Sequence, residues 1–292
     1  MREPNTSKIK HLKKISINEL PQYTSWVKRV LHLQPFSKYP RDLAKVDVEY
    51  DKNKYAKLLD FYNSKPSTTI ADITAQECVG IPEKVCISKN DELFQTSVTN
   101  LNRFFDDFLI DTLADHIRKA KVVVELGCGW GYNLNVLRKV FPNRLWLGGE
   151  YSQNAVKLAS HLFEGEKDIS ISYFNWYDKE WKILEDLTEK ALIFSRHSIE
   201  QLPSVRSVIP TFRQYQEKII EVVHLEPVYE LTDPATTLGL MRQAYTQMND
   251  YNTDLLTVLR SLNVQILKTE AEVIGGNPLN PTSIIQWKFP EA

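Results

Sequence analysis

Cysteine is scarce. The three in 292 residues, Cys78, Cys86 and Cys128, are too scattered for a disulfide framework, and no Cys-x-x-Cys pair offers a zinc or dithiol site, so a reducing compartment is expected. Long apolar runs are missing too: none approaches the ~18 residues of a membrane span. The first residues, with Lys8, Lys10, Lys13 and Lys14, lack the apolar stretch of a secretory signal and read as a solvated tail. Charge of one sign is also absent. Lys and Arg total 36 against 37 Asp and Glu, a net charge of −1, so no overall positive field draws the chain to phosphate backbones or anionic lipid. These absences predict a soluble, cytoplasmic protein without a nucleic-acid or membrane partner. What is present is globular in character, with 42% hydrophobic residues and material for a sizeable core.

Ser16-Ile17-Asn18-Glu19 fits a capping box ahead of Leu20, Tyr23, Trp26, Val27, Val30 and Leu31, spaced as one helix face. A second amphipathic stretch runs over 55–62 and stops near Pro66; a hairpin or two short strands is expected over 85–97, and a long helix over 100–120. After Lys121 short β-branched runs alternate with helical patterns, the signature of a parallel α/β sheet. Strands are expected at 122–126, 145–150, 169–174, 191–195, 219–225, 264–274 and 283–289, with helices at 133–140, 154–163, 203–215, 238–251 and 254–262. No helix separates the last two strands, which implies an antiparallel pair. The division is a mainly helical N-terminal cap, 1–120, and a ligand-binding core, 121–292, with lid candidates at 23–31, 89–102 and 238–251, where Tyr245 and Tyr251 line the site or serve helix packing.

The strongest motif is Val124-Glu125-Leu126-Gly127-Cys128-Gly129-Trp130-Gly131-Tyr132, an apolar strand entering a glycine-rich turn and then a helix. Such a turn brings a ligand close to backbone and to unpaired N–H groups. A dinucleotide loop needs glycine or alanine where Tyr132 stands, which disfavours a dehydrogenase. The acidic-x-Gly-x-Gly-x-Gly pattern of Glu125, Gly127, Gly129 and Gly131 resembles that of class I S-adenosylmethionine-dependent methyltransferases, over roughly the last 170 residues. The resemblance implies a seven-stranded, mostly parallel sheet with helices on both faces and an antiparallel last strand. It implies S-adenosylmethionine as cofactor, with Glu125 positioning its methionine end, Glu150 accepting from the ribose hydroxyls and Tyr151 near the adenine. Asn175 and Trp176 then take the adenine edge and face, Trp176 having packing as its alternative role.

Ligands bind beyond the carboxyl ends of such strands, so the segments after the fourth and fifth strands should meet the sulfonium methyl. His197 and His224 are candidate general bases there, or else order their loops. Glu200 and Glu226 are further catalytic candidates. With Glu230 they form a candidate acidic substrate pocket suited to a guanidinium or amine, unless they serve in structural ion pairs. No metal-ligand spacing is present and no metal is expected, although the acids around His224 leave a metal-assisted sugar or catechol reaction open. The expected partner is a small polar methyl acceptor. N-methylation of an arginine-like substrate is preferred to O-methylation of a sugar or other hydroxylated metabolite, and the reading from another class is a non-catalytic binding protein on a methyltransferase fold.

Overall fold

In the computed structural model, residues 12–36, 40–65 and 67–290 are described; the N-terminal tail through position 11 and the helix-stopping Pro66 lie outside them. One sheet organises the chain. Its strands are β1 (Lys13–Ile15), β2 (Lys84–Lys89), β3 (Glu92–Ser97), β4 (Val122–Leu126), β5 (Leu145–Glu150), β6 (Ile169–Tyr173), β7 (Ala191–Arg196), β8 (Ile219–Glu226), β9 (Gln265–Gly275) and β10 (Thr282–Lys288). Their spatial order is β1-β3-β2-β9-β10-β8-β7-β4-β5-β6.

The run β4 to β8 is parallel and β10 enters antiparallel between β8 and β9. Numbered from β4, the core reads 3-2-1-4-5-7-6, a Rossmann-like topology with a mixed sheet. The order reverses at β4, so the crevice of this sheet opens beside the glycine turn. Every residue of β4 is buried: Val122, Val124 and Leu126 join the core on one face and Val123 the core on the other. That is why Val122, Val123 and Val124 read as an uninterrupted apolar run.

The sheet has ten strands where seven were expected. The additional three come from the N-terminal region, where β2 and β3 form the anticipated hairpin and β2 joins the core through Ser88↔Gly275 and Lys89↔Ile274. Helical elements fill the rest of that region: α1 (Trp26–Val30), α2 (Leu43–Val46), a π-helix over Asp47–Tyr55, α3 (Ala56–Ser64) and α4 (Ile70–Glu77). Ser16 N–H donates to Glu19 as the capping box requires, but the helix it opens is a 3₁₀ turn, Ile17–Gln22, containing Pro21; α1 begins anew at Trp26.

The core helices are α5 (Val98–Ile117), α6 (Tyr132–Val140), α7 (Gln153–Leu162), the short α8 (Lys182–Glu185), α9 (Thr237–Met248) and α10 (Leu255–Ser261). The helix expected over 203–215 is absent. A 3₁₀ segment, Ile209–Lys218, stands there with Pro210 in its first turn, and the Asp254 carboxylate draws Ser204 and the Val205 N–H out of helical geometry.

Candidate active site

β4 delivers its last residues into a turn that only glycine tolerates at two points. Gly127 and Gly129 have φ of +82° and +57°, and a Cβ on Gly129 would stand 2.4 Å from the Tyr55 hydroxyl. Glu150, ending the neighbouring β5, ties this turn to the next helix: Oε2 accepts the Gly129 N–H at 2.7 Å and Oε1 the Ser152 N–H at 2.8 Å. Burial raises its pKa, and those N–H groups work against the rise. Each carboxylate oxygen keeps a second lone pair for a hydroxyl. A narrow glycine cradle beside a two-oxygen acceptor fits the nucleoside end of S-adenosylmethionine.

Gly127, Gly129, Glu150, Tyr151, Asn175, Trp176, His197 and Glu200 line one cleft of about 660 Å³, within the range of small-ligand sites. Asn175 Oδ1 accepts the Tyr177 N–H at 3.1 Å, shaping its own turn. Trp176 is 7% exposed and packs against Phe174, Trp181 and Phe212, while its Nε1 donates to Ser198 Oγ at 3.0 Å. It serves as a wall of the cleft and as core. Glu125 and Gly131 lie just behind the lining. Glu125 Oε1 accepts from Asn133 Nδ2 at 2.6 Å, Oε2 is buried without a partner, and burial pushes the pKa up to about 8 against the pull of Asn133 and Arg196.

The expected acidic pocket divides into separate parts. Glu230 is not in the cleft: its oxygens accept the Leu256 and Thr257 N–H groups, both at 2.7 Å, and so cap the start of α10. Glu226 is fully buried beneath the β7 turn, accepting from Ser195 Oγ at 2.6 Å and Ser198 N–H at 2.9 Å; burial and then Glu200 raise its pKa. His224 is also fully buried, against Trp287, with its pKa pushed down to about 3 and Nδ1 on Ser195 Oγ at 2.9 Å. A strand covered on both faces gives only its outermost end to the crevice, and His224 lies two residues short of that end.

Two of the candidates do meet at the cleft. His197, at φ +48°, sets Nδ1 3.4 Å from Glu200 Oε1 and Nε2 2.7 Å from Thr282 Oγ1. Burial opposes its charged form, yet Glu200 and Glu226 outweigh that and hold its pKa above the ordinary value. Glu200 also accepts from Gln201 Nε2 at 2.8 Å and Asn280 Nδ2 at 3.1 Å. Its charge is therefore met from within the protein. Arg41, Lys54 and Arg196 share the lining with the carboxylates of Asp42, Glu49, Glu77, Glu150 and Glu200, so the cleft is mixed in sign, with Glu49 paired to Arg41 and Glu77 to Lys54.

The cover over the site was missed in sequence. Residues 41–55, not the expected lid segments, contribute Arg41, Glu49, Tyr50, Lys54 and Tyr55. Of the three expected segments, 238–251 does reach the lining, with Tyr245 and Tyr251. One end of the cover is held by Arg41, whose N–H donates to Asp250 at 2.9 Å and whose guanidinium bonds Gln201 and lies 4.9 Å over the Tyr251 ring. The other is held by Asp51, which accepts from Ser152 Oγ at 2.5 Å and Asn154 N–H at 2.9 Å. The only sequence trace was Tyr50 and Tyr55 amid charged residues, a pattern shared by any solvated helix. Among the described residues no group of three His, Cys, Asp or Glu is placed to hold a metal, and no helix is long and apolar enough to cross a membrane.

No protein-family model matches the chain, and no curated protein matches it. Solved structures do. An S-adenosylhomocysteine-bound methyltransferase from Podospora anserina is similar at 14% identity over 65% of this chain and 79% of that one, with a TM-score of 0.46. An N-methyltransferase from Bradyrhizobium japonicum, also with S-adenosylhomocysteine, is similar at 12% identity over 65% and 87% of the two chains, TM-score 0.45. Mitomycin 7-O-methyltransferase is similar at 12% identity and TM-score 0.44 over 59% of this chain; the match spans half of that longer protein, 50%.

Proposed function

We propose that the protein is an S-adenosylmethionine-dependent methyltransferase acting on a small hydroxylated metabolite. The observation that carries the reading is Glu150 bound to the Gly129 N–H at the reversal point of a 3-2-1-4-5-7-6 sheet, which presents a ribose-accepting carboxylate at the lip of a glycine cradle. The cofactor supplies an activated sulfonium methyl for in-line displacement. The protein then has to bury the acceptor at attack distance and receive its proton. His197 is the cleft-lining residue suited to that role: in its neutral form Nδ1–H points to Glu200, and Nε2, bonded to the buried Thr282 Oγ1 in the resting protein, must leave that hydroxyl to take a proton.

A hydroxyl acceptor is preferred to a guanidinium because the acids that a cation requires are already engaged. Glu230 caps a helix, Glu226 supports the turn, and Glu200 is bonded by Gln201 and Asn280. The remaining wall combines Tyr50, Tyr245 and Tyr251 with Asn277 and the ion-paired Arg41 and Glu49, aromatic faces beside polar groups that suit a polyhydroxylated molecule. Titration calorimetry with S-adenosylhomocysteine tests the class: micromolar binding is expected, and no heat at about 1 mM with folded protein overturns it. Cofactor turnover with sugars and phenols against arginine and amines tests the acceptor; turnover confined to the amines restores the guanidinium reading.

A further inference from the structure

We infer that Arg196, a residue with no role assigned above, is the receptor for the carboxylate of the cofactor's amino-acid tail. The inference rests on the proposed cofactor and deepens it. The proposed adenine contacts, Asn175 and Trp176, follow β6 on one side of Glu150, and the cleft continues on the other side past the glycine turn after β4 to the end of β7, which is the room left for the tail. Arg196 is the last residue of β7, half-buried and lining the cleft. Its segment stands directly across the glycine turn, since a Cβ on Gly127 would fall 1.7 Å from Ser198 Oγ.

The side chain is fixed and yet has donors to spare. Nη1 donates to Asn133 Oδ1 at 2.8 Å, Asn133 Nδ2 donates to Glu125, and the guanidinium lies 4.8 Å over the Phe105 ring. Nε and Nη2 have no protein hydrogen bond among the described residues, which leaves an N–H pair in the geometry that a carboxylate takes bidentately. Burial works against the Arg196 charge, and Glu125 and Asp106 sustain it. The Glu125–Asn133 pair therefore fixes Arg196 at the cleft from behind while one N–H edge of the guanidinium stays uncommitted, the arrangement a carboxylate receptor needs.

Three ligands separate the roles: S-adenosylhomocysteine, its decarboxylated analogue S-adenosyl-3-thiopropylamine, and 5′-methylthioadenosine, which lacks the tail. Calorimetry on the full chain should show tenfold or stronger preference for the first over the second. Arg196→Met should weaken S-adenosylhomocysteine at least tenfold, leave 5′-methylthioadenosine within twofold and abolish the preference; Arg196→Lys should restore part of it. Equal weakening of all three ligands makes Arg196 structural and overturns the inference. Unchanged S-adenosylhomocysteine binding also overturns it, assigning the free N–H pair to the acceptor instead. Failure of all three to bind the wild type rejects the cofactor reading itself, a result distinct from either.

Discussion

Glu150 concentrates at one residue what the site needs from its sheet. Its two oxygens hold the Gly129 and Ser152 N–H groups, so replacing it removes a ligand acceptor and loosens the turn together. Glu150→Gln should weaken S-adenosylhomocysteine by roughly tenfold or more, the worth of one or two charge-assisted hydrogen bonds, as read by calorimetry. Unaltered affinity would place the ribose elsewhere. Buried titratable groups set a second residue-scale expectation. Glu125, raised from 4.5 to about 8, binds its proton more tightly when folded, so the stability it confers is lost as pH rises through 8. His224, lowered from 6.5 to about 3, works the other way, its contribution fading as pH falls below 6.5. The two oppose each other between 4.5 and 6.5; above that Glu125 acts together with Glu226, raised to about 7, and His197, also raised, all three losing stabilisation as pH rises. Chemical denaturation of the ligand-free protein should show stability declining from pH 6.5 to 8.5, and Glu125→Gln should lessen that decline, most at its upper end.

Among the elements, those whose pattern is local and whose burial is largely complete were legible. β4 and β5 stand where their apolar runs do, because all of β4 and the inner part of β5 are buried and every position is apolar or glycine up to the functional acid. The glycine turn was legible for the same reason: positive φ is a local demand. Two kinds of feature were not. The 203–215 helix failed because distant Asp254 captured its first turn, and Glu230 was misplaced because the helix N-terminus it caps begins 25 residues later in the chain, at Leu255. No spacing rule reports a partner of that kind. Glu230→Ala should accordingly cost about 1 kcal/mol of stability, as loss of a helix cap does, and leave cofactor turnover unchanged. A fall in turnover at full stability would return Glu230 to the substrate site. Asp51→Ala, which frees the cover from the start of α7, should instead speed S-adenosylhomocysteine dissociation severalfold in stopped-flow measurements.

At the scale of the whole molecule, the N-terminal region is part of the machine in two senses. Its hairpin extends the sheet through β9, and its 41–55 segment closes the cleft from above with Tyr55 seated against Gly129. That segment includes a π-helix, whose hydrogen bonds are less favourable than those of an α-helix and which recurs where a chain must shift around a ligand. Most of it is exposed or half-buried, with Arg41 and Tyr55 at its two ends the exceptions. Local opening is therefore expected to cost little in the free protein. A ligand lying between it and the glycine turn adds contacts to the closed form alone and must shift the population toward closure. Hydrogen exchange with S-adenosylhomocysteine added should slow over 41–55, the glycine turn and 196–201. The exposed middle of β9, on the far side of the sheet, should exchange as before. Protection of the glycine turn with no change over 41–55 would show that the cofactor enters without engaging this cover, and the gate would then have to lie in the Tyr245 and Tyr251 wall.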